Sequence, residues 1–187
     1  MKKITELTET RWRTIHLKDA YGNRERDTEE FIAIRPVKSI APGPRFAHFV
    51  IDLTAFQIVI YLVSYIFELL TSLTNLSPSL ILSLNLLNNI ILLLLFPALY
   101  TICEYKWQKT PGKYITKSVV IDEYGNKPEL RAIILRSIIR FVPFEPFSCY
   151  EDNYSRGWHD RWANTWVVTE EELEILKKLQ AEQSESN

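Results

Sequence analysis

The sequence is poor in cysteine, has no excess of basic residues and shows no cluster of ligand-type side chains. Among 187 residues only Cys103 and Cys149 are cysteines, they form no C-x-x-C pattern, and the three histidines are scattered. Neither a disulfide framework nor a zinc site is therefore indicated. The 22 Lys and Arg residues against 23 Asp and Glu leave a formal net charge of -1, so the basic field that drives nucleic-acid binding is missing. We expect no cofactor, no metal and no nucleic-acid partner.

Signals for a secreted protein and for an enzyme are missing as well. The first residues, Met1–Arg13, alternate charged and polar side chains and lack the roughly 7–15-residue apolar stretch of a secretory signal, so the N-terminus is expected in the cytoplasm. Pro111-Gly112 suits a type II turn, and the following Lys113 does not complete a P-loop because the preceding glycine is missing. No serine or cysteine nucleophile with a fixed partner is visible. We therefore expect no catalytic residue and no enzyme activity.

The sequence does contain two long stretches that are almost free of charge. No Lys or Arg occurs from Phe46 to Leu70, and no charged residue occurs from Leu80 to Ile102. Each stretch is longer than the roughly 20 residues that a helix needs to cross the hydrocarbon core of a membrane. The sequence therefore predicts transmembrane helices over about 45–70 and 80–103, which form an antiparallel hairpin because the linker between them is short.

The distribution of Lys and Arg predicts how this hairpin lies in the membrane. Ten of these residues precede or open the first span, none lies in the linker, and Lys106, Lys109 and Lys113 follow the second span. This is the pattern of the positive-inside rule. We expect a multi-pass protein of the cell membrane with both chain ends in the cytoplasm.

Residues 1–44 predict a cytoplasmic N-terminal segment with a small β-hairpin. Its strands are expected at Thr14–Leu17 and Phe31–Arg35, joined by a turn at Tyr21–Arg24. A similar turn string follows the β-branched run Ile115–Ile121 and predicts a second hairpin. The prolines of Ala41–Pro44 disfavour helix, so the first span is expected to begin at residue 45.

Residues 129–149 are ambiguous, because apolar side chains are mixed with Arg131, Arg136 and Arg140. Three arginines would be costly at mid-depth in a membrane, and Pro143 and Pro146 should end or kink a helix. We predict an amphipathic helix that lies in the headgroup region or is re-entrant, and a third complete span is the alternative. Residues 169–187 are predicted to form a cytoplasmic C-terminal helix and tail, starting with a capping-box pattern.

Two groups of polar side chains lie within the predicted spans. Arg45, His48 and Asp52 occupy positions i, i+3 and i+7, within about 60° on one helix face. Asp52 either pins cytoplasmic segments to the helix by ion pairing or binds a cation or proton. In the second span, the cluster of Asn85, Asn88 and Asn89 suits hydrogen bonding across to the first helix, or a polar path.

A third group, His159, Asp160 and Arg161, lies beside tryptophans spaced by four residues. These tryptophans either form one stripe on a helix or precede a strand at Thr165–Val168. A carboxylate at the hydrocarbon edge needs a partner. We therefore hypothesise that this segment folds back against the first span. Arg45 either reaches along the helix to Asp52 or, if Arg161 is the cation for Asp52, contacts Asp160.

Several of these strings together resemble the RDD family of small, mainly bacterial membrane proteins. They are Arg45-Phe46-Ala47 with Ile51-Asp52, Thr110–Lys113, Val120-Ile121-Asp122, Arg136-Ser137, and His159-Asp160-Arg161 leading to Thr165–Val168. The resemblance covers about residues 45–168, taken here as one membrane domain. It implies that Arg45, Asp52 and Asp160 are the arginine and two aspartates that give the family its name.

The resemblance implies little about activity. Transport has been proposed for the family, and some members are implicated in sodium/proton exchange. We expect an all-α membrane protein: a helical hairpin plus an amphipathic or re-entrant helix, with short β-hairpin elements on the cytoplasmic side. One hypothesis is a transport or cation/proton exchange component, which must be an oligomer because two spans cannot enclose a pathway. The alternative is a non-catalytic, membrane-embedded interaction or scaffold protein, in which the same charges attach the cytoplasmic elements to the hairpin and the N-terminal segment binds a partner. The expected partners are the lipid bilayer and either further copies of the chain or another membrane protein.

Overall fold

The computed structural model describes residues 2–18, 24–74, 76–151 and 154–185, and these residues are mostly helical. Two short 3-10 helices, Ile4–Glu6 and Glu145–Tyr150, accompany the longer elements. In chain order the strands and α-helices are β1 (Thr8–Lys18), β2 (Arg24–Ile34), α1 (Pro42–Ser72), α2 (Pro78–Trp107), α3 (Pro111–Ile115), β3 (Ser118–Asp122), α4 (Leu130–Ile139), α5 (Trp158–Trp162), β4 (Thr165–Thr169) and α6 (Glu170–Glu185).

The two charge-poor stretches form the long helices α1 and α2, as predicted. Each contains an 18-residue window with a mean hydropathy near 2, and both are long and apolar enough to cross a membrane. The first helix begins at Pro42 rather than at Arg45. Proline is tolerated there because the N–H groups of a first helical turn have no intrahelical partner to lose.

The short helix α3 corrects the expected turn at Pro111-Gly112. Pro111 is its first residue, and Gly112 does not have the positive φ that a type II turn requires. Gly112 instead allows a close approach between helices, since a Cβ placed on it would lie 2.7 Å from the Cα of His48 in α1. The chain therefore turns back at once from α2 and packs α3 against the start of α1.

The predicted N-terminal hairpin is present and longer than expected. Its strands pair antiparallel from Thr8 with Ile34 to Lys18 with Arg24, and the turn predicted around Gly22 lies outside the described residues. A second antiparallel pair of strands is also present, but its strands are not joined by the turn string that follows Ile121. After Asp122 the chain turns through Gly125, with φ 78°, into a loop and α4, and β3 pairs instead with the distant β4.

The β3–β4 sheet is the centre of the main hydrophobic core. Residues 37–40 run beside β4, with the Ile40 N–H donating to the Val167 carbonyl, and α6 covers the sheet with Leu176. Thr169 caps α6 by accepting from the Glu172 N–H at 3.2 Å. The core side chains are Ile4, Leu7, Val37, Val119, Ile121, Trp166, Val168 and Leu176.

The segment that sequence left ambiguous contains no third complete span. Helix α4 has ten residues, about 15 Å of helix, which is half the thickness of a hydrocarbon core. The expected headgroup-facing arginines are also not found, because Arg136 and Arg140 point into the protein. The tryptophans do not form one helical stripe: Trp166 lies in β4 and is buried, whereas Trp162 in α5 is exposed.

Candidate functional site

Buried charged side chains converge where the beginning of α1 meets the end of α2. Helices α4 and α5 pack against this region from outside the hairpin. Charged groups in such a place are expensive to bury, so each needs a partner. The cluster consists of Arg45, Asp52, Glu104, Lys113, Arg136, Arg140, Glu145, His159 and Asp160.

Asp160 lies between two arginines and is completely buried. Its two carboxylate oxygens accept from Arg45 and from Arg136, which come from α1 and α4. Arg45 also donates through Nε to the carbonyl of Ile40 at 3.0 Å. Burial alone would raise the pKa of Asp160, but the nearby His159, Arg45 and Arg136 outweigh it and hold this pKa well below its usual range. The contact between Arg45 and Asp160 is one of the two that the sequence suggested for Arg45.

Glu104 is the second hub of the cluster, and sequence reasoning missed it. Its carboxylate accepts from Arg136 Nε at 2.9 Å, from Arg140 Nη2 at 3.0 Å and from Lys113 Nζ at 3.0 Å. The guanidinium of Arg140 also lies over the ring of Tyr100, 4.2 Å from its centroid. The sequence contained one signal for this hub. Glu104 is an isolated acid near the end of a long charge-free helix, and such an acid requires a cation nearby.

Asp52 is almost fully buried, with 1% of its surface exposed. One oxygen accepts from the Thr110 hydroxyl at 2.6 Å and the other from the Gly112 N–H at 2.7 Å, so this carboxylate caps α3. Within the described part of the chain no cation lies within 4.0 Å of it. The nearest link to a cation is indirect, because Lys113 Nζ lies 3.4 Å from the Thr110 hydroxyl.

A cavity of about 50 Å³ lies next to Asp52. Because a water molecule needs roughly 10–15 Å³ of such space, it has room for a few waters or one small ion. Two guanidinium nitrogens of residues that line it, Arg45 Nη2 and Arg140 Nη1, are buried and have no hydrogen-bond partner among the residues that the structure describes. The polar residues of the lining are Arg45, His48, Asp52, Tyr100, Lys113, Arg140, Glu145 and His159.

Both histidines of the cavity have hydrogen-bond partners. The His48 ring contacts the Thr116 hydroxyl. His159 contacts the Glu145 carboxylate through Nδ1, while its Nε2 lies 3.4 Å from an oxygen of Asp160. Burial lowers the pKa of His159 although both carboxylates oppose this. Because a carboxylate can only accept, Nδ1 of His159 carries a proton and donates it to Glu145.

The remaining residues singled out by sequence lie elsewhere. Arg161 is partly exposed, 4.0 Å from the carboxylate of Glu151, so the suggested pairing with Asp52 is not found. Asn85 and Asn89 are exposed and Asn88 is half-buried. Among the residues that the structure describes, none of these three amides has a recorded hydrogen bond to α1.

The Asp52 carboxylate has free acceptor positions on its cavity side. Over residues 2–18, 24–74, 76–151 and 154–185, no three His, Cys, Asp or Glu side chains are placed to hold a metal ion. A carboxylate has about four lone-pair positions, and the two donors occupy two of these positions on Asp52. The cavity side of this carboxylate can therefore accept one further proton or weakly held cation.

Comparison with known proteins identifies the family. Neither the curated proteins nor the solved structures contain a match to this chain. The model of the RDD family, however, matches residues 41–164, a range that contains Arg45, Asp52 and Asp160. Because this match covers well over half of the sequence, the chain belongs to the RDD family.

Proposed function

We propose that the chain is one subunit of an oligomeric membrane component that exchanges a monovalent cation for a proton at Asp52. The observation that carries this proposal is the environment of that carboxylate. Asp160 and Glu104 each contact two or more cations, whereas Asp52 has none within 4.0 Å in the described structure and lines a cavity. An ionisable group of this kind in a membrane protein is a functional candidate by default.

Charge balance explains why two cations would compete at this site. With its histidines neutral, the cluster has as many cations as carboxylates. One bound cation or proton therefore gives the cluster a net charge of +1. Two unit charges 4 Å apart repel by about 4 kcal/mol at an effective dielectric constant of 20, which favours one-for-one exchange over joint binding. The balanced groups are Arg45, Lys113, Arg136 and Arg140 against Asp52, Glu104, Glu145 and Asp160.

The proposal takes α1 and α2 to cross the cell membrane with both chain ends in the cytoplasm. The Lys and Arg distribution supports this orientation, and it puts the Asp52 cavity toward the cytoplasmic side. Two helices cannot surround an aqueous path, and unpaired polar groups are not tolerated against lipid. The other wall of the path would come from a second copy or another membrane protein.

The experiment is a flux assay on purified protein in liposomes that carry a sodium or proton gradient. Asp52→Asn should abolish the flux while the fold is retained. The amide oxygen can still accept from the Gly112 N–H, and the amide NH2 can donate to the Thr110 hydroxyl, which is also an acceptor. Glu68→Gln is the matched control, because Glu68 is an exposed acid on the same helix.

Flux that is equal in Asp52→Asn, Glu68→Gln and parent protein would exclude Asp52 as the exchanging group. Absence of flux in the parent protein would contradict the proposed function itself. The retained fold of Asp52→Asn is checked by its thermal stability in detergent, which should stay close to that of the Glu68→Gln control.

One observation favours a scaffold function as a second candidate. The β1–β2 hairpin lies outside the range of the family match, and its register puts Trp12, Ile32 and Ile34 on one exposed face. Its two ends are adjacent, since the Arg35 N–H donates to the Leu7 carbonyl at 2.8 Å. Residues 8–34 can thus be replaced by Asn-Gly. A scaffold would lose its partner in this variant, whereas a transporter would keep its flux.

A further inference from the structure

Helix α4 has the reverse of the polarity expected for a helix on a water-exposed surface. Arg136 of α4 and Arg140, which directly follows the helix, point inward to Glu104. Ile134, Leu135 and Ile138 are the exposed side chains, together with Leu130 and Arg131 at its first turn. A surface helix in water normally presents its apolar face to the core and its charges to solvent. The outer face of α4 therefore suits an apolar environment.

The turn after α4 holds an aromatic ring outward in a strained conformation. Phe144 has φ 67° and ψ 1°, and the Glu145 N–H donates to the Val142 carbonyl at 3.2 Å. This is the third position of a type II turn after Pro143, where glycine is preferred. Phe144 is 77% exposed, so no contact within the described structure compensates for the strain.

Free energies decide which surroundings suit this residue. A left-handed conformation is unfavourable for a non-glycine residue. Moving a phenylalanine side chain out of water is favourable by a similar or larger amount. In water, Phe144 would thus be unfavourable in both its backbone and its ring, while in an apolar medium the burial of the ring offsets the backbone strain.

The exposed apolar surface is continuous with that of the two long helices. The ring of Phe147 lies 6.0 Å from that of Phe46 in α1, and the ring of Phe141 lies 5.9 Å from that of Phe96 in α2. Segment 134–147 therefore extends the outer surface of the hairpin sideways, near the start of α1 and the last turns of α2. Whatever covers the hairpin at this level also reaches this segment.

We propose that segment 134–147 is embedded in one leaflet of the membrane, at the boundary between headgroups and acyl chains, with the Phe144 ring among the acyl chains. The occupant of this surface is lipid. A helix of about 15 Å cannot cross a core of about 30 Å, so the segment lies along the leaflet that faces the chain ends. This inference rests on the membrane placement within the proposed function.

Spin labelling in lipid nanodiscs tests the inference. A nitroxide is attached to a single cysteine that replaces Phe144 in a Cys103→Ser, Cys149→Ala background, and its collisions with oxygen and with a water-soluble nickel chelate are measured. Tyr61, 67% exposed in the middle of α1, and Ile32, 77% exposed on the β1–β2 hairpin, are the matched label positions. We expect position 144 to collide with oxygen and not with nickel, as position 61 does, whereas position 32 should show the reverse.

The outcomes separate this inference from the proposed function. Nickel access at position 144 with lipid exposure at position 61 overturns the inference and leaves the membrane placement intact. Shielding of position 144 from both reagents means that protein covers it, which also overturns the inference. Water exposure at position 61 contradicts the membrane placement itself.

A second variant keeps the inference testable if the label at position 144 disturbs the fold. Phe144→Gly removes the strain and the ring together. If the ring is in water, relief of strain should raise the Tm in nanodiscs. If the ring is in lipid, we expect the Tm to fall by about 2–5 °C, since a loss of about 1 kcal/mol shifts Tm by roughly 2–4 °C in a chain of this size. A rise in Tm overturns the inference.

Discussion

The packing of α3 on α1 at Gly112 yields the most quantitative prediction, for the substitution Gly112→Ala. A Cβ on this residue would lie 2.7 Å from the Cα and 2.8 Å from the carbonyl oxygen of His48. Non-bonded carbon atoms prefer about 3.5–4.0 Å, and both obstacles are backbone atoms that no rotamer change can move. Helix α3 would therefore have to shift by roughly 1 Å away from α1.

Two losses follow from that shift. Overpacking of this kind costs about 1–3 kcal/mol. The bond from the Gly112 N–H to Asp52, now 2.7 Å, would lengthen beyond hydrogen-bond distance, and a hydrogen bond to a charged group contributes about 1.5–3 kcal/mol. We expect a total destabilisation of about 2.5–6 kcal/mol and a fall in Tm of the order of 10 °C.

Thermal unfolding in detergent, followed by loss of monodisperse protein, measures this effect. Gly43→Ala is the control, because a Cβ there would meet no atom within 4 Å apart from its chain neighbours. Since Gly43 precedes Pro44, an added Cβ is disfavoured in the helical conformation, and we expect the Tm of this variant to fall by less than that of Gly112→Ala. Equal Tm values for Gly112→Ala and Gly43→Ala would refute the close packing of α3 against His48.

Two further predictions concern the ion pairs. In a double-mutant cycle on stability, Arg45→Gln with Asp160→Asn should show a coupling of about 1–3 kcal/mol, because the two side chains are in contact. The effects of Asp52→Asn and Arg161→Gln should instead be additive within about 0.5 kcal/mol. The reverse result would contradict the contacts described for Asp160 and Asp52. Because the pKa of Asp160 is lowered on folding, its contribution to stability is complete above the ordinary carboxyl range and is lost as pH falls below about 4. Melting curves between pH 7 and pH 3 should therefore drop more steeply for the parent than for Asp160→Asn, and parallel curves would show that Asp160 has no such role.

Properties that depend on neighbouring residues were readable from the sequence. The two long helices follow from stretches without charge, because a helix in lipid must satisfy its backbone internally and needs apolar side chains along its whole length. The first β-hairpin and the cap of α6 at Thr169 follow from local turn and capping chemistry. The spacing of Arg45 and Asp52 on one helix face is likewise a local property.

The partners of the buried charges, by contrast, were decided only by the tertiary structure. Asp160 could have met any of several arginines, and sequence separation does not rank them. The fold selects Arg45, 115 residues away, and Arg136, 24 residues away. Asp52 accepts from a hydroxyl and a backbone N–H at the start of α3. Both donors are uncharged, so no pattern of charges in the sequence could indicate them.

The same reason explains the strand pairing and the hub that sequence reasoning missed. β3 pairs with β4 because residues 37–40, α6 and the 3-10 helix at Ile4 surround both strands with apolar side chains. Glu104 becomes a hub because α4 brings Arg136 and Arg140 to the end of α2. Local periodicity can indicate that a charge lies on a helix within a membrane protein, but its partner depends on which distant segments are folded against it.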